Sequence, residues 1–175
     1  MRLRIAFVIA LASLCPCVAA EPGAFARTTI DLGVVVSDLE KSARFYTDVV
    51  GFTEVPGFSV PGPVAADAGL TNGLSLTVRA FVLGDGPEAT KIKLMQLADP
   101  AQRTGDNQFI HSHTGFRYLT IIVKDMKASV ARLEKAGVKP LMKSPVDIPE
   151  TTVPGGLKLT CFRDPDGNII EFVGK

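Results

Sequence analysis

Residues 28–52 read TTIDLGVVVSDLEKSARFYTDVVGF, and the spacing of their apolar side chains changes partway along. Ile30, Leu32, Val34 and Val36 alternate with Asp31, Gly33 and Val35, the two-residue period of a strand with one aliphatic face. Beyond Ser37 the period becomes helical, with Leu39, Ala43, Tyr46 and Val50 on one side. Ser37 and Glu40 form an S-x-x-E pattern that predicts a capping box, and Gly51 is the expected stop.

The same strand-to-helix unit recurs at residues 118–137, YLTIIVKDMKASVARLEKAG. Placing Leu32 on Leu119, 87 residues later, also sets Val36 on Val123, Asp38 on Asp125 and Ser42 on Ser129. The period changes at the same point in both copies, so the chain reads as two copies of one supersecondary module.

Working outward, residues 52–58 predict a short strand broken by Pro56 and Gly57, and residues 59–72, with Pro61, Gly62, Pro63 and Gly69, predict a long surface loop. Strands follow at Leu74–Val82 and Lys91–Gln96, both by alternation. Residues 99–114 lack a sustained period and read as a linker. In the second copy a weak strand near Lys139–Lys143 and a proline-rich loop at residues 145–156 precede strands at Leu157–Phe162 and Ile169–Val173. The latter two are joined by the tight turn Asp164-Pro165-Asp166-Gly167-Asn168. The expected class is α+β, with module one at 28–98 and module two at 115–175, both βαβββ.

The first twenty residues stand apart. Arg2 and Arg4 precede an apolar run from Ile5 to Leu14, and Val18 and Ala20 are small residues placed for a cut before Glu21. Residues 1–20 therefore read as a signal peptide and 21–175 as a single exported domain, periplasmic or secreted, with no membrane attachment after cleavage. Cleavage takes the basic side chains from 19 to 17 against 18 acidic ones, a balance that gives no reason to expect nucleic acid as a partner. It also leaves Cys161 as the one cysteine, so stability rests on the core rather than on an internal disulfide.

Val36, Asp38, Leu39, Ser42, Phe45, Tyr46, Gly51 and Phe52, followed by the closing DPDGNIIEF of residues 164–172, resemble the vicinal oxygen chelate superfamily. That superfamily includes glyoxalase I, extradiol dioxygenases, methylmalonyl-CoA epimerase and bleomycin-resistance proteins. The resemblance implies two βαβββ modules whose sheets form a curled mixed sheet around a cavity, helices outside, and a homodimer is common among such proteins. In metal-dependent members four side chains from the first and last strands of each module hold one divalent ion, usually His or Gln early and Glu late.

Carried over position by position, those four places fall on Asp31, Lys93, Tyr118 and Glu171, and only Glu171 matches the usual ligand. Alternation independently puts all four on the side opposite Ile30, Leu32, Ile92, Leu94, Leu119, Ile121, Ile170 and Phe172. A protonated Lys93 offers no lone pair, so it reads as a stand-in for the metal's charge between Asp31 and Glu171, with Tyr118 as a further hydrogen-bonding group. The expected cofactor is none. The alternative is a divalent metal (Zn, Ni, Mn or Fe) held by Glu171 and Asp31 with Lys93 turned aside.

Arg79, Lys91 and Lys158 are candidates to hold an anionic substrate group, Arg79 by sharing the cavity face. His111 and His113 have metal-compatible spacing but read as linker residues, since an extended chain puts His113 roughly 16 Å from Tyr118. The expected function is binding of a small polar organic molecule in the cavity between the modules. A lyase or isomerase acting through an enolate-like intermediate, with Asp31 or Glu171 as base and Lys93 or Tyr118 steadying the oxyanion, is equally compatible with these residues. A metal-dependent lyase, isomerase or dioxygenase of the glyoxalase type is the alternative.

Overall fold

The computed structural model describes residues 26–175 except 87, 98–104, 142 and 144. The expected signal segment and the first part of the linker lie outside the described residues. The first module runs β1 (Asp31–Val35), α1 (Leu39–Arg44) continued by π-helical turns over Phe45–Val50, β2 (Thr53–Val60), α2 (Gly62–Asp67), β3 (Leu76–Leu83) and β4 (Thr90–Met95). The second runs β5 (Tyr118–Val123), α3 (Met126–Lys135), β6 (Val146–Asp147), β7 (Lys158–Arg163) and β8 (Ile169–Gly174).

Each module builds one four-stranded sheet, in the order β1-β4-β3-β2 and β5-β8-β7-β6. The first strand pairs in parallel with the last, Gly33 opposite Lys93 and Thr120 opposite Glu171, and the other pairings are antiparallel. A parallel pair needs a crossover, and the helix after each first strand supplies it. The repeat is therefore real in three dimensions: α+β, two βαβββ units with matching topology.

Both helices start on the aspartate that the repeat aligns. Asp38 accepts from the Lys41 N–H at 2.9 Å and Asp125 from the Ala128 N–H at 2.8 Å, with nearly identical extended backbones. The expected capping box at Ser37 is thus displaced by one residue, because Asp38 satisfies the free N–H groups itself. Glu40 is drawn instead to Arg79.

The helix-facing sides of both sheets share one core with the helices, in which Phe81, Leu94, Leu133, Phe162 and Phe172 are wholly buried. Each such side chain contributes about 1.5–3 kcal/mol. The modules are joined here. Phe45 packs on Phe162, and Arg132 donates to the Val49 carbonyl. Tyr46 donates its phenolic hydrogen to Asp164 at 2.9 Å, both groups being buried (2% and 5% exposed). Asp164 also accepts from the N–H groups of Asp166 and Asn168 and from the Asn168 side chain, so one carboxylate fixes the turn and ties it to the first module. The turn is more than a hairpin.

Other expectations shift. The strand at 52–58 extends as β2 through Pro56 and Gly57 by a bulge between Val55 and Phe58. A Cβ on Gly57 would lie 2.1 Å from the Val78 carbonyl oxygen, which is why the bulge takes glycine. Part of the expected loop 59–72 is α2, started by Pro63 in its first turn, and Ala65 on it packs on Leu76 and Val78. The expected strand near Lys139–Lys143 reduces to one bond, from the Leu141 N–H to the Cys161 carbonyl, and β6 falls inside the expected loop. Among the described residues no helix is long and apolar enough to cross a membrane.

Candidate functional site

Strand alternation leaves each sheet with a face turned away from its helix, and the candidate residues Asp31, Lys93, Tyr118 and Glu171 all stand on these faces. In the first sheet the row across three strands is Gly33, Lys93 and Ala80. In the second it is Thr120, Glu171 and Cys161. Glycine and alanine leave Lys93 room to reach Asp31, two residues before Gly33, at 2.9 Å, and its ammonium lies 5.8 Å from the Phe58 ring centroid. Arg27 bonds the other Asp31 oxygen at 2.5 Å. The Lys93 hydrogen bond, ahead of the charges of Lys93 and Arg27, holds the Asp31 carboxyl below its ordinary range.

Glu171 is served by the hydroxyl of Thr120 at 2.9 Å and by the Cys161 thiol at 4.0 Å. Burial first, and the Glu171 charge second, push the Cys161 thiol above its usual value, so it stays protonated at neutral pH. Tyr118, at the equivalent place to Asp31, is 55% exposed. Among the described residues no hydrogen bond or ion pair joins Asp31 or Lys93 to Tyr118 or Glu171. The structure thus brings Asp31 to Lys93, and Glu171 to Thr120 and Cys161, as two half-sites.

The family's divalent ion does not fit these half-sites. Asp31 already carries two cationic partners, Lys93 is a donor, and Glu171 is the one remaining anionic oxygen ligand among the four positions. Among the described residues, no group of three or more His, Cys, Asp or Glu side chains is arranged to hold a metal.

The cationic candidates separate. Arg79 lies on the helix-facing side, opposite Leu94 and against Phe81, and its guanidinium is taken by Glu54 and Glu40. Those hydrogen bonds, Glu54 first, raise its pKa further and lower that of Glu54. Lys158 also lies on the helix side, beside Met126 and Val130, paired with Asp147. Arg79 and Lys158 therefore do not share the face of Lys93, because the odd and even positions of β3 and β7 belong to opposite sides. Lys91 does share it, one pleat from Lys93 and directly opposite Asp31.

Each open face is partly roofed, the first by α2 and the second by the latter part of the linker. The carbonyls of five successive residues, Asp106 to Ile110, accept from two arginines: Arg117 takes Asp106, Phe109 and Ile110, and Arg163 takes Asn107 and Gln108. His113 bridges the Asp106 carbonyl at 2.8 Å and Arg117 at 2.7 Å, which makes it a structural residue. Held this way, the linker folds back over β7 and β8 and forms one side of a half-open cavity of about 720 Å³. Leu159, Cys161 and Ile169 form its floor, Phe109, Ile110 and His111 one wall, and Leu141, Lys143 and Val146 another. The His111 ring stacks on Phe109 with centroids 5.4 Å apart. Sequence reasoning missed this cavity, and its one local signal was the apolar pair Phe109-Ile110 inside an otherwise polar linker.

Two βαβββ modules joined through their helices, each leaving one sheet face uncovered by its helix, define a vicinal oxygen chelate fold. A family model for the Glyoxalase/Bleomycin resistance protein/Dioxygenase superfamily matches residues 28–172, and the chain belongs to that superfamily. Among solved structures it is similar to a glyoxalase family protein from Bacillus cereus, at 18% identity and a TM-score of 0.70 over 89% of this chain and 98% of that one. A glyoxylase/bleomycin resistance protein/dioxygenase domain from a Frankia species matches at 19% identity and a TM-score of 0.60, over 84% and 90%. A glyoxalase/bleomycin resistance protein from a Streptomyces species matches at 25% and 0.52, over 83% and 98%. No curated protein sequence matches the chain significantly.

Proposed function

We propose that this protein is an exported, metal-independent member of the superfamily that binds a small organic molecule over the open face of its second sheet. The observation that carries the reading is the cavity of about 720 Å³, a volume typical of small-molecule sites, roofed by a linker that two arginines hold in place. Ligand chemistry supports independence from metal. A cation placed among the four family positions would meet Lys93 and a carboxylate whose charge Arg27 and Lys93 already balance. A metal-dependent lyase, isomerase or dioxygenase would need Lys93 withdrawn and two further donors supplied.

The test is metal analysis of protein purified without a histidine tag, followed by calorimetric titration with zinc, nickel and manganese. The expected result is no stoichiometric metal and no tight binding. Submicromolar binding that is lost in Asp31→Ala and Glu171→Ala variants would overturn metal independence.

A further inference from the structure

Deepening the proposed cavity site, and resting on that reading, we infer that the ligand is a hydrophobic anion: an apolar, ring-sized body bearing one carboxylate, phenolate or similar group. The walls and floor are largely aliphatic and aromatic, with Leu141, Val146, Leu159 and Ile169 facing the stacked Phe109 and His111. Such a surface selects an apolar body, and the stacked pair offers it a flat one.

The charge of the ligand follows from the polar groups. Lys143 lines the cavity and has no ion-pair partner among the described residues, so a full positive charge is available there. Among the described residues that line it there is no carboxylate. Glu171 lies on the same face beside Cys161, where the Thr120 hydroxyl and the thiol bond it. The five backbone carbonyls of the roof, the other groups that would favour a cation, are consumed by Arg117 and Arg163. A cationic ligand would meet the like charge of Lys143 on the wall and only an already twice-bonded carboxylate beside the floor, whereas an anion gains Lys143 and the His111 ring nitrogen as donors.

The experiment uses three probes of one shape, 2-naphthoate, 2-naphthamide and 2-naphthylmethylamine, titrated calorimetrically into the full protein. The naphthoate should bind roughly tenfold or more tightly than the amide, and the amine most weakly. Lys143→Gln should bring the naphthoate down to the affinity of the amide and leave the amide unchanged. Val146→Trp, at an exposed position that fills the cavity from its rim, should weaken naphthoate and amide alike. Equal binding of naphthoate and amide by the wild type overturns the anion assignment while the cavity reading stands. Tight naphthoate binding that Val146→Trp leaves intact places the anion elsewhere and overturns the assignment too. No binding of any probe at millimolar concentration overturns the cavity reading itself, and this inference with it.

Discussion

Tyr46→Phe tests how the two modules are held together. The substitution keeps the ring, which packs edge-on against Phe45 and Phe52, and removes the hydroxyl that donates to Asp164. A hydrogen bond to a charged acceptor contributes about 1.5–3 kcal/mol. Asp164 keeps three other donors, so the loss belongs at the lower end, about 1.5–2 kcal/mol. For a domain of this size that is a fall in melting temperature of roughly 3–8 °C. Alkali provides a second reading. Burial, then the Asp164 charge, raises the Tyr46 pKa well above its usual value, so above about pH 10 the unfolded chain holds fewer protons than the folded one. Stability is then lost as pH rises, by up to about 1.4 kcal/mol per pH unit for this one group. The phenylalanine variant lacks that slope, and the two stability curves should converge in alkali. Urea unfolding at pH 7 and at a series of pH values up to 11 measures both effects. A variant within about 0.5 kcal/mol of wild type at pH 7, or one with an unchanged alkaline slope, would refute the inter-module role of this bond.

Gly57→Ala should destabilise by about 1–3 kcal/mol, since its methyl group would meet the Val78 carbonyl oxygen at 2.1 Å and the bulge would have to open. Unchanged stability in chemical denaturation would remove the steric reason for the glycine. Lys93→Met should cost no more than about 1 kcal/mol at pH 7, because the pair is partly exposed and Arg27 still holds Asp31. As Asp31 titrates below its unfolded value, the stability it contributes is present above about pH 4 and lost as pH falls, so the gap between wild type and variant should close in acid. A gap that persists at pH 2 would assign the effect to packing on Phe58 instead.

Where a period ran long enough, the sequence was readable. The change from alternation to helical spacing at residues 36–39 and again at 123–126 located both modules, and the alignment of Asp38 with Asp125 contained the true helix caps even though an S-x-x-E pattern beside it pointed one residue away. Short elements carried no such signal: α2 spans six residues and β6 two. Arg79 failed for a different reason. Leu76, Val78 and Ala80 on one side of β3 and Phe81 on the other are all buried, so alternation defined two faces without saying which one met the helix. The register with β4 decides it, setting Arg79 and Phe81 opposite Leu94 and Ile92 of the helix-side core. The roof over the second sheet was invisible because Arg117 and Arg163, both outside the expected linker, supply the bonds that shape it.

The two open faces have diverged from one pattern into opposite charges. Row for row, Gly33-Lys93-Ala80 corresponds to Thr120-Glu171-Cys161, and Asp31 to Tyr118. A shared metal ion needs anionic or neutral donors from both rows at once. Here the first row contributes an ammonium already engaged by its own carboxylate, and the second a carboxylate engaged by a hydroxyl and a thiol. The first half is charge-balanced by its own ion pairs, while the second holds its carboxylate with neutral donors alone, so a shared ion would have to displace Lys93 to gain a second anionic ligand. Lys143, on the wall of the cavity rather than at a family position, is a cation with no ion-pair partner among the described residues. On the proposed reading, recognition lies at the roofed end of the second sheet rather than at the sheet centre, with apolar surface supplying affinity and one cation supplying orientation.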